Sequence, residues 1–159
     1  ASLMQLGKWF DYMRENGVYD NTRIILVADH GRGLYLNWDR VIDNGPDTDF
    51  FFPLLMVKDF NAEGFSFSDE FMTTADVPTL ATSGLIDNPT NPFTGNAINA
   101  NAKYDRPFYA FMSYDWDTSK NNGNQFFPGT WYRVDNQNAR DKRNWVMVGE
   151  NTVLPDALR

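Results

Sequence analysis

The sequence predicts an α/β fold in which a parallel sheet with flanking helices is followed by a small antiparallel sheet. An amphipathic helix stands first, two continuous apolar runs follow it, and three aromatic, β-branched runs end the chain. Continuous apolar runs are typical of strands buried on both faces, and short strand-like runs between turns are typical of antiparallel sheets. We expect two domains: residues 1–106 form the α/β part, and residues 107–159 form an antiparallel, β-rich tail packed on it.

The composition is that of an acidic globular protein without cysteine. The chain has 159 residues, of which 42% are hydrophobic, and a net charge of −7. Binding to a nucleic-acid backbone requires clustered Lys and Arg, so nucleic acid is excluded as an expected partner. The lack of cysteine excludes disulfides and thiolate chemistry, and the single histidine excludes any site that needs two histidines from this chain.

The first predicted element is an amphipathic helix over residues 2–16. Its apolar stripe, at three- and four-residue spacing, consists of Leu3, Leu6, Phe10 and Met13. The pair Asn16-Gly17 predicts a left-handed helix stop.

Two apolar runs predict the buried strands of the parallel sheet. The first covers residues 23–28 and ends in the polar triplet Asp29-His30-Gly31. Ligands of open α/β sheets bind beyond the carboxyl ends of strands, so this triplet is the most suggestive position for a site. The second run covers residues 51–57, and the connection over residues 31–50 is predicted to be a long loop.

A short helix over residues 75–85 and a turn-dense connector over residues 87–106 complete the α/β part. Pro78 fits only the first turn of that helix, and Gly84 ends it. The strands of the tail are predicted at residues 108–112, 130–134 and 144–148.

The pair Asp29-His30 allows two interpretations from its residue types alone. A carboxylate and an imidazole are both ligands of divalent metals, and Gly31 would permit the backbone turn that lets them converge. The other interpretation is a loop aspartate that caps the following turn beside a solvated histidine.

Neighbouring patterns do not add a second site. The segment Gly31-Arg32-Gly33 lacks the third glycine of a dinucleotide-binding loop. Asp43, Asp47 and Asp49 form an acidic loop, but Gly45 stands where a calcium loop requires an oxygen ligand, so a solvated loop is predicted.

The aromatic residues of the tail could form a sugar-stacking platform or the core of the small sheet. We expect the core. These residues are Trp116, Trp131, Tyr132 and Trp145.

Three segments resemble the sulfatase-like branch of the alkaline phosphatase superfamily, which includes sulfatases, lipoteichoic acid synthases and phosphoethanolamine transferases. Residues 20–31, DNTRIILVADHG, resemble the family segment DNTLIIFTSDHG. Residues 52–57, FPLLMV, resemble its vPliv strand, and residues 75–86 resemble its helix sDivPTll…lgi. Order and spacing also agree, and the resemblance covers about residues 3–98.

The resemblance implies a truncated alkaline-phosphatase-like sheet and a parent enzyme that hydrolyses or transfers phosphoric or sulfuric esters. In such enzymes Asp29 and His30 would be two ligands of the catalytic divalent metal (Mn, Mg, Ca or Zn), whereas Asp76 would be a structural residue at a helix start. Arg32 stands where the family often has Glu, and it could help to bind the anionic substrate. The nucleophile and the remaining acidic ligands of the family lie in an N-terminal half without counterpart here, so the isolated chain should be inactive.

The resemblance also implies an extracytoplasmic location, periplasmic or at the cell surface, with a membrane anchor in the missing N-terminal part of the parent. The expected partner is a phospho- or sulfo-ester substrate. An unpaired sheet edge would favour self-association of the fragment. Two alternatives stay open: a non-catalytic glycan- or protein-binding module on the same scaffold, and a structural or assembly subunit.

Overall fold

The computed structural model describes residues 2–36, 38–113 and 127–158 and shows a mixed helix and strand fold with two small antiparallel sheets. The helices are α1 (Ser2–Glu15) and α2 (Val77–Thr82). The strands are β1 (Ile24–Val27), β2 (Leu55–Lys58), β3 (Phe108–Met112), β4 (Gly129–Val134) and β5 (Trp145–Thr152).

The chain forms two compact units. The first comprises Ala1–Asp29 and Pro53–Ile98, and the second comprises His30–Phe52 and Asn99–Arg159. The predicted division at residue 106 stays a prediction, because grouping in space does not test which segments fold independently.

In the first unit, β1 and β2 pair antiparallel, which corrects the expected central parallel sheet. Ile24 lies opposite Lys58, and Val27 lies opposite Leu55. Ile24 is buried, but Val27 exposes 45% of its surface, so the apolar run is not buried along its whole length. An apolar, β-branched run favours a strand without specifying the direction of its partner. Within the described ranges, no third strand joins this sheet.

The second apolar run becomes a strand later than predicted. Asp47 accepts a hydrogen bond from the N–H of Asp49 and so caps a 3₁₀ turn over Thr48–Phe51. Pro53 then provides no N–H for a ladder. The strand therefore begins at Leu55, and the first part of the predicted run belongs to the turn.

The two predicted helices are present, with limits set by their turn residues. Helix α1 ends at Glu15, before Gly17 with φ of +67°. The stripe on α1 is only partly buried, because Met13 is buried while Leu3 exposes 80% of its surface. Helix α2 is shorter than predicted and ends before Gly84, whose φ is +71°.

The start of α2 uses the side chain of Asp76. The N–H of Thr73 donates to Asp76 Oδ2 at 2.8 Å, and the Thr73 hydroxyl donates to the same oxygen at 3.2 Å. Pro78 lies in the first turn, as predicted. In this structure, Asp76 therefore organises a helix start.

Two cations organise the rest of the first unit by satisfying carbonyl groups. Arg23 donates to the carbonyl oxygens of Leu80 at 2.9 Å and Ser83 at 2.7 Å, near the end of α2. Its Nε also donates to Asp59 Oδ1 at 2.9 Å, and this hydrogen bond lowers the pKa of Asp59. Lys58 Nζ donates to carbonyl oxygens of the turn before β1, including that of Thr22 at 3.0 Å.

The second unit contains the predicted three-stranded antiparallel sheet, in the order β3-β4-β5. Its core consists of Ala110, Tyr132, Val134 and Trp145. Ile42 and Phe51, from the segment that precedes the sheet, pack against this core. The prediction that the tail aromatics form the core is thus confirmed for Tyr132 and Trp145.

Trp131 differs from this pattern. Trp131 is half-buried, and its ring centroid lies 4.9 Å from that of Phe111, its cross-strand neighbour. Trp116 and the predicted turn at Asn122-Gly123 lie outside the described residues.

We expect Arg23→Met to destabilise the chain by about 2–3 kcal/mol, because it removes charged hydrogen bonds and leaves the part-buried carbonyl oxygen of Leu80 unsatisfied. Urea unfolding measures the change. Lys8→Met, which replaces an exposed lysine on α1, is the control and should change the free energy of unfolding by less than about 0.5 kcal/mol. Equal effects of the two substitutions would contradict a structural role for Arg23.

Candidate functional site

The candidate site follows β1 directly. The N–H of Ala28 donates to the carbonyl oxygen of Leu54 at 3.0 Å, so the antiparallel pairing continues one residue beyond β1. Asp29 then lies in a bend, and its side chain is exposed. His30 and Arg32 are exposed as well. The sequence prediction of a polar triplet at the carboxyl end of a strand is therefore correct in its position, although the strand belongs to an antiparallel pair.

The hydrogen bond of His30 defines which ring nitrogen carries the proton. Nδ1 lies 2.6 Å from the carbonyl oxygen of Gly31, and a carbonyl oxygen only accepts hydrogen bonds. Nδ1 is therefore the donor, and in the neutral ring the lone pair belongs to Nε2. Metal-binding histidines commonly hold their second nitrogen in this way, by donation to a carbonyl or carboxylate.

Gly31 is required by close packing of the backbone. Its N–H donates to the carbonyl oxygen of Phe50 at 2.9 Å. A Cβ atom at this position would lie 2.0 Å from the carbonyl oxygen of Asp49 and 2.6 Å from that of Phe52. The glycine thus serves a close approach of two backbone segments, rather than the backbone turn proposed from the sequence.

The acidic loop is not solvated throughout, which corrects the prediction for Asp47. Asp47 exposes only 1% of its surface. Its carboxylate accepts hydrogen bonds from the N–H of Tyr35 at 2.9 Å and of Asp49 at 3.0 Å. Asp49 in turn pairs with Arg40. An Asp side chain commonly accepts a hydrogen bond from the backbone N–H two residues later, and Asp47 after Gly45-Pro46 is the sequence signal that could have indicated this role.

The donor set at Asp29 and His30 fits part of a metal site. One carboxylate and one imidazole, from consecutive residues, supply two ligands of the kinds that divalent metals accept. Within the parts of the chain that the structure describes, no group of three or more His, Asp or Glu side chains is placed to hold a metal ion. A complete centre would therefore need further ligands.

A basic turn in the second unit is a further charged feature, and it borders a cavity. The cavity is about 480 Å³ in volume and is lined by Asp39, Asn138, Arg140, Asp141, Lys142 and Arg143. Arg143 forms a forked pair with Asp141, in which Nη2 lies 2.6 Å from Oδ2, and Lys142 Nζ lies 3.3 Å from Asp43 Oδ1. Because carboxylates balance these cations, the turn does not present the excess positive charge of an anion site.

The Arg143 guanidinium lowers the pKa of Asp141 to about 2 from its ordinary 3.8, and the backbone N–H of Arg143 adds to this effect. The lowered pKa means that the pair stabilises the fold above about pH 4, and that this contribution is lost as the pH falls toward 2.

Comparisons with models of protein families, with curated proteins and with solved structures find no match to this chain. No helix among the described residues is long and apolar enough to cross a bilayer.

We expect Gly31→Ala to destabilise the second unit by about 2–3 kcal/mol or more, because the added methyl group would overlap two backbone oxygens. Gly7→Ala is a matched control, since a Cβ at Gly7 meets nothing within 4 Å and alanine favours the helix. Thermal unfolding monitored by near-ultraviolet circular dichroism measures both. A Gly31→Ala variant as stable as Gly7→Ala would contradict the close approach at Gly31.

We expect Arg143→Gln to raise the pKa of Asp141 from about 2 toward 3.8, with part of the lowering kept by the remaining backbone N–H. Carboxyl ¹³C shifts followed by nuclear magnetic resonance (NMR) during an acid titration measure this pKa. Arg106→Gln, at an exposed arginine away from this turn in the sequence, is the control and should leave it unchanged. An Asp141 pKa that does not respond to Arg143→Gln would show that the forked pair does not form in solution.

Proposed function

We propose that Asp29 and His30 are two ligands of a divalent metal centre in a sulfatase-like hydrolase or transferase of phosphoric or sulfuric esters. The observation that carries the proposal is the hydrogen bond from His30 Nδ1 to the carbonyl oxygen of Gly31. It assigns the lone pair of the neutral ring to Nε2 and orients the imidazole, as in many metal sites. Support also comes from the three family-like segments and from the exposure of both side chains.

Each side chain has a defined task in this proposal. The carboxylate of Asp29 and Nε2 of His30 would hold the metal, which when bound would supply positive charge for a phosphoryl or sulfuryl oxygen. Arg32 would bind another oxygen of the same anionic group, because a guanidinium matches such groups with two parallel hydrogen bonds. The anchored backbone at Gly31 would keep His30 in place between turnovers.

The remaining ligands and the nucleophile would come from segments of the parent protein outside this chain. The same segments would supply further strands for an alkaline-phosphatase-like parallel sheet, to which the antiparallel pair of β1 and β2 would be added. The parent would be extracytoplasmic, with any membrane anchor in those segments. The chain alone would be inactive, and exposed apolar residues in and next to β2, such as Leu54 and Val57, would favour self-association.

A second candidate function is a glycan-binding module. The stacked pair Phe111 and Trp131 favours it, because both rings are half-buried rather than part of the main core. Tyr132 and Trp145 are in the core and are no longer available for such a platform.

The test uses the only histidine of the chain as its reporter. Mn²⁺ broadens NMR signals of nearby nuclei, so the single set of imidazole signals reports binding at this position. We expect selective broadening with an affinity in the millimolar range, because two ligands bind far more weakly than a complete centre. Asp29→Asn should abolish the selectivity.

Asp11→Asn is the matched control, since Asp11 is an exposed aspartate on α1, and it should leave the broadening unchanged. Imidazole signals that broaden no more than signals elsewhere in the chain would contradict the metal proposal. If that were the result, and if the chain bound glycans in an array and lost this binding on Trp131→Ala, glycan binding would replace metal binding as the proposed function.

A further inference from the structure

A cavity of about 330 Å³ lies in the second unit, between the turn over residues 44–46 and one face of the β3-β4-β5 sheet. Its volume is in the range of small-molecule sites. The side chains that matter for its chemistry are Asn44, Met112, Thr130, Tyr132, Met147 and Glu150. The proposed metal centre uses none of them.

The strand register brings these side chains to one face. Met112 pairs with Thr130 across β3 and β4, and Tyr132 pairs with Met147 across β4 and β5. Directly opposed residues share a face, and so do residues two apart on one strand. The same face carries the core at one end, while its other end forms the floor of the cavity.

A β-bulge places Glu150 at this cavity. Tyr132 pairs with Met147, but the preceding residue, Trp131, pairs with Gly149, so β5 contains an extra residue at Val148. The bulge shifts the alternation of β5, and Met147 and Glu150 both line the cavity although they are three residues apart. Bulges commonly re-aim side chains next to functional sites.

The lining has a single charge and a polarisable floor. Among its described residues, Glu150 is the only charged one. Met112 and Met147 offer two thioethers, which suit an alkyl chain, while Tyr132, whose ring belongs to the core, closes one side of the cavity. The net charge of −7 further favours cations over anions.

We propose that this cavity binds a small organic cation: an ammonium group beside Glu150 with a short alkyl body between Met112 and Met147. Asn44 and Thr130 supply hydrogen-bonding groups at the same cavity. The proposal is independent of the metal chemistry of Asp29 and His30, because it uses neither residue.

Hexylamine is the probe, since it is a cation at pH 7, and hexan-1-ol and hexanoate are its neutral and anionic counterparts. The chain has six methionines, so ¹³C-methyl methionine NMR gives six reporters. We expect hexylamine to shift the Met112 and Met147 signals saturably. Met4, Met13, Met56 and Met72 should not respond. Assignment by Met→Leu variants identifies each signal.

Glu150→Gln should weaken hexylamine binding about fivefold, which corresponds to the upper end of the interaction energies of exposed ion pairs. Glu63→Gln, at an exposed glutamate of the first unit, is the matched control and should leave the affinity unchanged. The proposal would be overturned by equal shifts with hexan-1-ol or hexanoate, by a response of all six methionines, or by no response at all. An affinity unaffected by Glu150→Gln would also overturn it.

Discussion

The close approach of two backbone segments at Gly31 is the constraint on which the rest of the candidate site depends. The N–H of Gly31 donates to Phe50, and no side chain fits at this position. Four residues after Gly31, the N–H of Tyr35 donates to the buried carboxylate of Asp47. The segment after β1 is therefore held at two points, and the carbonyl group that orients His30 belongs to the first of them.

Most of the cations whose contacts the structure shows serve the fold itself. In the first unit Arg23 and Lys58 satisfy backbone carbonyl groups, and in the second unit Lys142 and Arg143 pair with carboxylates. Because these cations already have partners, the chain offers a ligand even less positive charge than its net charge of −7 suggests. Arg32 is of interest because it is exposed beside the candidate metal ligands.

Features that depend on a few adjacent residues could be predicted from the sequence. Pro78 and Gly84 predicted the start and the end of α2 to within a few residues. The aromatic runs predicted all three strands of the tail. Pairing direction could not be predicted, because an apolar run such as β1 suits either direction. The burial of Asp47 depends on a partner twelve residues away, and the bulge at Val148 is visible only from the register of two strands.

The position of the candidate metal ligands was predicted, but their chemistry rests on the orientation of one imidazole. The proposed feature to test is the binding of a divalent metal by Nε2 of His30 together with Asp29. Electron spin-echo envelope modulation of Mn²⁺ bound to the chain, with ¹⁵N-labelled histidine, measures it most directly. We expect modulation from one imidazole nitrogen, and we expect His30→Gln to abolish it. Absence of that modulation, or its persistence in His30→Gln, would contradict metal binding by His30 Nε2.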